Sequence, residues 1–531
     1  MDLLHSISPR PPLLTLLTSA LAFTLSLHAQ DKEPPKERSH KERFAAPKAR
    51  WEQQERDAEQ RLGGNPADAE ALADRGEARL RSGRLAEAVE DFRRAAALNP
   101  QSSDLQATFA YGLWVQRRVP EALAAARAAL ALDAGHFTAN YYAGLILKQM
   151  GDSDGAIAHL ERAVKISPDQ MDLRFELLNA YRQKGDAQMA GVQFRLMRAV
   201  LPPNDTRLLY AEGLLAADAG RTETAVTRFG QALESAPHSV SIRQDLGMAL
   251  VQSGRWAQAT EVLAPLAAGQ PQSFTAAYLH ALALQNIGRG EEAEKEVRRA
   301  LALSPDSAAA RTLLGIVLAT RGAQAEAIAE LEAAVARDPR SFDAWFYLGR
   351  ARYGLRDTAG ARDALQRAVA IKPGEAEARF FLATVQEALG EKDAALAEYR
   401  ALIEQRPQDH RGHVGLGNLL ARYGELDAAV AALRRGRELA PQDFEAGLAL
   451  GRALSRQQKW EEAIRLLREA VARAPESAEA HYQLAQALQR TGQREEAAKE
   501  FAIVDRLNQE QRTRSGGMAA PGTNPPPPGR P

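Results

Sequence analysis

The chain has 531 residues, of which 45% are hydrophobic and 26% charged, proportions that are ordinary for a soluble globular protein. Lysine plus arginine and aspartate plus glutamate both number 68, so no excess charge favours nucleic acid or an anionic membrane as a partner. The absence of cysteine excludes disulfides, zinc–thiolate sites and a cysteine nucleophile.

The N-terminal segment, residues 1–29, contains an apolar run from Leu13 to Leu27. This run is too short for a comfortable membrane span, and an acceptable cleavage sequence ends at Ala29. We therefore predict a signal peptide and an exported protein, either periplasmic or secreted. An uncleaved N-terminal anchor that holds the protein at the membrane is the alternative. No other stretch is long and apolar enough to span a bilayer.

Residues 30–68 are predicted to form a charged linker and a capping helix. Residues 30–50 carry many charges and three prolines, which indicates a flexible linker. Residues 51–64 are polar and contain no proline, so they can form one helix with a polar outer face. Such a face is what the terminal helix of a repeat array requires.

Residues 69–511 follow a period of 34 residues. Alanine recurs at every step, with one extra residue in the stretch LPPNDTR that begins at Leu201. Twelve residues before each alanine stands glycine or alanine, except at Leu178, and twelve residues after it stands proline in eleven repeats. Glycine marks the middle of ten repeats, and Arg117, Arg356 and Gln458 replace it in the others. The alanines are Ala88, Ala122, Ala156, Ala190, Ala225, Ala259, Ala293, Ala327, Ala361, Ala395, Ala429, Ala463 and Ala497.

Each column of this pattern has a physical reason. Small residues let two helices approach closely, whereas larger side chains would push their axes apart. Glycine in the middle allows the left-handed conformation that ends a helix, and proline near the end cannot continue one. Apolar stripes on both helices cannot be buried within a single repeat, so neighbouring repeats must stack. The pattern therefore predicts an all-α fold of stacked helix pairs.

The pattern resembles the tetratricopeptide repeat, a helix–turn–helix unit of 34 residues, of which thirteen copies cover residues 69–511. The resemblance implies an all-α solenoid, in which antiparallel helix pairs form a right-handed superhelix. It also implies that the first helix of each repeat lines the concave surface, with positions 2, 5, 9, 12 and 13 facing inward. Positions are counted from the first residue of each repeat, so that Ala69 is position 1 and the recurrent alanine Ala88 is position 20 of the first repeat.

Two irregularities and the C-terminal tail complete the pattern. Pro265 lies within a predicted second helix and should kink or shorten it. The extra residue near Pro202 and Asn204 predicts a longer turn, with a local change of pitch or a hinge. Residues 512–531 are rich in proline and glycine and are predicted to be a disordered tail, for which a spacer role is favoured over a ligand role.

The resemblance assigns candidate partner-binding residues to the concave face. Position 5 is aromatic in seven repeats, and packing is the alternative role for these rings. Arginines on the same face, three of them at position 13, form a basic stripe, for which a solvated charged face is the alternative. The candidates are Tyr141, Phe175, Tyr210, Tyr278, Phe346, Arg350, Phe380, Arg422, Arg452, Arg456, Tyr482 and Arg490.

Nothing in the sequence indicates catalysis. It contains no phosphate-binding loop, zinc-binding helix or nucleophile elbow, and no carboxylate or third histidine is placed to join His410 and His413 in a metal site. Outside the signal, the repeats and the tail, about forty residues remain, too few for a catalytic domain. We therefore predict no enzymatic activity, no metal and no cofactor.

The leading hypothesis is a non-enzymatic scaffold of the cell envelope or secreted space that binds protein or peptide segments in its concave groove. One alternative is a periplasmic component of an envelope assembly or polysaccharide export machine. Another is an accessory subunit of a glycosyltransferase-type enzyme. The carboxylate clamp of the family is not supported, because Asn179 and Asn418 at position 9 lie seven repeats apart.

Overall fold

The computed structural model describes residues 40–515, and the side chains of residues 50–513. Over the described residues the chain forms 27 helices and no β-strand, which confirms the predicted all-α solenoid. The described residues divide into two compact units, one that ends at Pro305 and one that begins at Asp306. The predicted signal peptide and the parts of the linker and tail within residues 1–39 and 516–531 lie outside the described residues.

The helices are numbered in chain order, and each repeat contributes a first and a second helix. The helix before the first repeat is α1 (His40–Gly64). The first helices are α2 (Ala69–Arg81), α4 (Ser103–Val115), α6 (Phe137–Gln149), α8 (Met171–Lys184), α10 (Thr206–Asp218), α12 (Val240–Gln252), α14 (Phe274–Asn286), α16 (Ala308–Thr320), α18 (Phe342–Gly354), α20 (Ala376–Leu389), α22 (His410–Arg422), α24 (Phe444–Arg456) and α26 (Ala478–Arg490).

The second helices follow after short turns. They are α3 (Leu85–Leu98), α5 (Val119–Leu132), α7 (Ser153–Ile166), α9 (Ala187–Val200), α11 (Thr222–Ser235), α13 (Trp256–Gly269), α15 (Gly290–Leu303), α17 (Gln324–Arg337), α19 (Thr358–Ile371), α21 (Lys392–Gln405), α23 (Leu426–Leu439), α25 (Trp460–Arg473) and α27 (Arg494–Ser515). The first unit thus holds seven stacked pairs and the second holds six.

The helix before the repeats is longer than the sequence predicts. Helix α1 begins at His40, inside the predicted linker, because residues 40–50 are rich in strong helix formers. Its residue Glu55 accepts hydrogen bonds from Arg79, at 3.1 Å, and from Arg84. Burial raises the pKa of Glu55, but these two hydrogen bonds outweigh it, so the pKa lies below its usual range. The helix is therefore fastened to the first repeat by charged contacts.

Local side-chain chemistry sets where the first helices begin. In eleven of them the residue before the helix accepts a hydrogen bond from a backbone amide of the first turn, as Ser341 does from Ala344 at 3.2 Å. This N-cap satisfies a backbone donor that the helix leaves unpaired.

The turn that ends each first helix has one conformation in all thirteen repeats. Ten glycines occupy it with positive φ, and the three residues that replace glycine adopt it as well, at φ 62° for Arg117, 63° for Arg356 and 62° for Gln458. Residues with a Cβ are strained in this left-handed region. The geometry of the turn is therefore imposed by the packing of the two helices and not by glycine alone.

Replacing Arg356 by glycine is expected to stabilise the second unit by about 1 kcal/mol, because glycine adopts the positive φ without steric strain. Denaturant unfolding followed by circular dichroism measures the change. The control is Arg340→Gly, which lies in a turn without positive φ and should bring no gain. Lower stability of Arg356→Gly than of the wild type would contradict the strain argument.

The apolar core lies between helices of successive repeats. Leu209, Ala232 and Ile242 form one buried cluster that joins α10, α11 and α12. In the second unit, Leu331 of α17 and Leu348 of α18 share a cluster with Ala364 of α19. Each pair therefore buries its apolar face against its neighbour, as the pattern predicts.

Of the two irregularities predicted from the sequence, the structure shows the longer turn but not a shortened helix at Pro265. The turn between α9 and α10 contains five residues, 201–205, whereas the turn between α7 and α8 contains four, so the longer turn is confirmed. Helix α13 keeps the 14 residues of an ordinary second helix with Pro265 inside it, so Pro265 does not shorten it. A hinge at the longer turn stays a prediction.

Candidate protein-binding surface

All twelve predicted site residues lie on first helices. Within each unit the first helices of neighbouring repeats contact one another, as α4 contacts α6 and α22 contacts α24. We call the side chains at positions 2, 5, 6, 9, 12 and 13 of these helices the A face of that unit. The candidate residues therefore all belong to the A faces of the two units. They differ in how much of each side chain is exposed.

The aromatic residues at position 5 differ widely in exposure. Phe175, Tyr278 and Phe346 are buried, with 7%, 2% and 3% of their surface exposed. Tyr141, Tyr210 and Phe380 are half-buried, and Tyr482 is exposed. The three buried rings pack within the array and present little surface to a partner, whereas the other four reach the A face.

An aromatic cluster lies on the A face of the first unit. The rings of Tyr111 and Tyr142 stack with centroids 4.7 Å apart, and Trp114 lies 6.1 Å from Tyr142. Tyr141, one of the predicted residues, adjoins the cluster at 5.4 Å from Tyr142. The prediction took its aromatic residues from position 5 alone and so missed the other three rings. Tyr111 and Trp114 are at positions 9 and 12, which the resemblance also places on this surface, whereas Tyr142 is at position 6, which it does not.

Tyr210 is tied to the next repeat by a hydrogen bond. Its hydroxyl donates to Asp245 Oδ2 over 2.6 Å, and its ring lies 5.5 Å from that of Phe175. Desolvation raises the pKa of Asp245 to about 6, although the hydrogen bond from Tyr210 favours the charged form. The hydroxyl of Tyr210 is thus occupied inside the array, and only part of the ring is available to a partner.

A recurrent contact joins position 12 of one first helix to position 13 of the next. Trp114 Nε1 donates to Gln149 Oε1 at 2.8 Å, and Arg182 Nη2 donates to Asp218 Oδ1 at 2.9 Å. In the second unit, Arg422 reaches back to Glu387 at 3.2 Å. Arg456 likewise donates to the backbone oxygen of Ala421. These contacts hold successive first helices side by side.

The predicted basic residues of the second unit are mostly exposed. Arg422, Arg456 and Arg490 are exposed, and Arg452 is half-buried. Arg452 forms an ion pair with Glu479 at 2.8 Å and a hydrogen bond to Asn418 at 3.3 Å. The arginines at position 13 therefore form a row on the A face. Two of them, Arg422 and Arg456, also contact the preceding repeat.

Arg350 lies in a pocket of aromatic rings on the A face of the second unit. Its guanidinium carbon is 5.6 Å from the ring centroids of Phe346 and Tyr347 and 5.0 Å from that of Phe381. Phe346 and Tyr347 belong to α18, and Phe381 belongs to α20 in the next repeat. The arrangement fixes the arginine between two neighbouring first helices.

A buried carboxylate lies on the same helix as Arg350. Asp343 is 2% exposed, and its Oδ1 has no hydrogen-bond partner. Burial raises the pKa of Asp343 to about 6, and the positive charge of Lys372 offsets only part of this effect. The folded chain therefore holds a proton at Asp343 more strongly than an unfolded chain, in which an aspartate titrates near pH ~3.9.

Asp343→Asn is expected to stabilise the second unit at pH 7.5 by about 2 kcal/mol and to have little effect at pH 4. A raised folded pKa contributes stability that is complete below the unfolded pKa and lost as pH rises through the folded pKa, between about pH 4 and pH 6. Denaturant unfolding of wild type and variant at several pH values measures this difference. A pH-independent difference would contradict it, and Glu377→Gln, at the half-buried equivalent position of the next repeat, is the control.

In the described part of the chain, three or more metal-ligating side chains nowhere come together as a metal site requires. His410 lies 3.8 Å from Asp443, while His413 contacts the backbone oxygen of Pro407 at 3.3 Å. The two histidines thus have separate contacts. No helix over the described residues combines the length and apolar character needed to cross a bilayer.

Three sequence models of the family described as tetratricopeptide repeat match the chain. One model matches residues 216–284, 353–423 and 454–515. The second matches residues 108–170, 143–194, 278–339 and 325–376, and the third matches residues 69–102. Together they cover well over half of the sequence. No curated protein gave a significant match.

Solved structures of repeat proteins resemble the chain at low identity. The crystal structure of the APC/C hetero-tetramer Cut9-Hcn1 has 14% identity over 84% of this chain and 95% of its own, with a TM-score of 0.47. Yeast Tom70 has 16% identity over 84% and 97%, with a TM-score of 0.36. YrrB, a TPR protein with an unusual peptide-binding site, has 20% identity over 35% of this chain and 95% of its own, with a TM-score of 0.31. On the sequence-model matches and the thirteen helix pairs, the chain belongs to the tetratricopeptide repeat family.

Proposed function

We propose that this protein is a non-enzymatic scaffold of the cell envelope or secreted space that binds protein segments along the A faces of its repeats. Tetratricopeptide repeats support a role in protein–protein interaction. The observation that carries the proposal is the recurrent contact between positions 12 and 13. Because it holds first helices side by side within each unit, the exposed side chains of successive repeats in that unit form one pre-ordered surface for an extended segment or a helix.

The export part of the proposal is supported by the apolar run between Leu13 and Leu27. Cell fractionation followed by N-terminal sequencing of the mature protein tests it. The proposal expects the protein outside the cytoplasm with a new N terminus near Ala29, or membrane-bound with the original one. Protein found only in the cytoplasm would overturn the export part and leave the binding surface standing.

Site-specific photo-crosslinking in cells tests the binding surface. A photoreactive phenylalanine analogue replaces Tyr482, the exposed ring on first helix α26, in one variant. In the matched control it replaces Glu495, which is exposed on second helix α27 of the same repeat. Adducts to a protein partner are expected at Tyr482 and not at Glu495. Equal adducts at both positions, or adducts at Glu495 alone, would overturn the A-face assignment.

A further inference from the structure

The pocket around Arg350 has an unusual charge arrangement. No carboxylate among the described residues lies within ion-pairing distance of Arg350, and its Nε is buried without a hydrogen-bond partner. Arg350 is half-buried, and its buried Nε lacks the hydrogen bond that buried polar groups normally have. Three rings thus surround a cation whose charge no carboxylate of the described residues balances.

Arg411, at position 2 of α22, provides a direct comparison. Its guanidinium also lies over a ring, 5.6 Å from the centroid of Phe380. However, Nε and Nη2 of Arg411 donate to the two oxygens of Asp409, at 3.0 and 2.7 Å. The two arginines therefore share a cation–ring contact and differ in whether the chain itself supplies the carboxylate.

The kind of ligand follows from the carboxylate that Arg350 lacks and Arg411 has. A guanidinium presents paired N–H donors in a planar fork that matches the two oxygens of a carboxylate. The half-buried rings of Tyr347 and Phe381 beside it offer apolar surface for the residues that flank such a carboxylate.

We propose that Arg350, held in place by the buried ring of Phe346 and flanked by Tyr347 and Phe381, forms a binding site for an aspartate or glutamate side chain of a partner segment that is otherwise apolar at this point. At this site the partner provides the carboxylate for Arg350, just as Asp409 of the same chain provides the carboxylate for Arg411. It lies on the A face of the second unit and rests on the proposed function, for which it specifies the chemistry of the partner.

Selection of a random library of 12-residue peptides, displayed on phage, tests the site on the purified full-length protein. The targets are the wild type, Arg350→Gln and Arg411→Gln, each with its helicity verified by circular dichroism. Selected peptides are expected to be enriched in aspartate or glutamate for the wild type and for Arg411→Gln, and this enrichment is expected to disappear for Arg350→Gln.

A double exchange then isolates the contact. The strongest acidic peptide and its counterpart with glutamine for glutamate, or asparagine for aspartate, are titrated by fluorescence anisotropy. The neutral peptide should bind the wild type at least tenfold more weakly, and both peptides should bind Arg350→Gln equally. The site is refuted if bound peptides show no acidic preference, or if Arg350→Gln keeps it, and both outcomes leave the scaffold function intact. If no target selects any peptide, the proposed function fails as well.

Discussion

Substitution of Lys148 by methionine is expected to destabilise the first unit by about 3 kcal/mol. Lys148 on α6 forms an ion pair with Glu176 on α8, and their side chains are only 11% and 1% exposed. Removing the lysine leaves the carboxylate buried without its cation, and that state is much less stable than an exposed carboxylate. Denaturant unfolding followed by circular dichroism measures the loss, and hydrogen exchange locates it in α6 and α8.

A second substitution separates the charge effect from a loss of packing. Combining Lys148→Met with Glu176→Leu should recover most of the stability, because a buried ion pair replaced by apolar groups of similar volume is often neutral or stabilising. A double variant as unstable as the single one would show that Lys148 acts through packing.

An exposed ion pair nearby supplies the matched control. Lys184 of α8 lies 2.6 Å from Asp154 of α7, with side chains 47% and 80% exposed. Water solvates both groups in the folded and the unfolded chain, so Lys184→Met should leave the unfolding transition of the first unit in place. Equal effects of Lys148→Met and Lys184→Met would remove burial as the explanation.

The fold could be predicted from the sequence almost to the residue. Every first helix begins at the position that the 34-residue count assigns to it, from Ala69 in the first repeat to Ala478 in the last. This succeeds because each column encodes a local event that repeats identically, such as the turn at positive φ or the close contact at position 8. The start of α1 at His40 falls outside the period, and the count gave no information there.

The candidate site could be predicted only in part. The repeat register correctly places the candidate side chains on first helices. How far each side chain is buried, however, depends on which residues of the next repeat pack against it. Phe346 is buried under Phe381 of the following repeat, with ring centroids 5.7 Å apart. Tyr482 belongs to the last repeat, after which the described chain has no further first helix, and it stays exposed. Residues at the same repeat position thus take different roles.

Contacts between repeats were the part that sequence reasoning missed. Lys148 and Glu176 are 28 residues apart, and Tyr210 and Asp245 are 35 apart, so neither pair shares a helix. These contacts depend on how one repeat stacks on the next, and the 34-residue pattern does not describe that stacking. The spacing of 35 residues recurs between positions 12 and 13, and a search for polar pairs at that spacing could have found the contact.

Replacing Gly349 by leucine is expected to destabilise the second unit by about 3 kcal/mol, through overpacking between α18 and α19. A Cβ on Gly349 would lie 2.6 Å from Cγ of Leu365 and 3.2 Å from the backbone oxygen of Ala361. Leu365 is fully buried, so it cannot yield without moving the second helix. Gly349→Ala should give a smaller loss, and denaturant unfolding followed by circular dichroism ranks the variants.

The control and the rescue both follow from the same contact. Gly374→Leu lies in a turn where an added Cβ meets nothing within 4 Å, so it should change stability by less than about 0.5 kcal/mol. Adding Leu365→Ala to Gly349→Leu should cost less than the sum of the two single changes, because the second removes the atoms against which the new side chain packs. Strictly additive losses would mean that glycine at position 8 of the repeats serves helix flexibility and not the close approach of the two helices. The physical basis of the repeat pattern would then lie elsewhere.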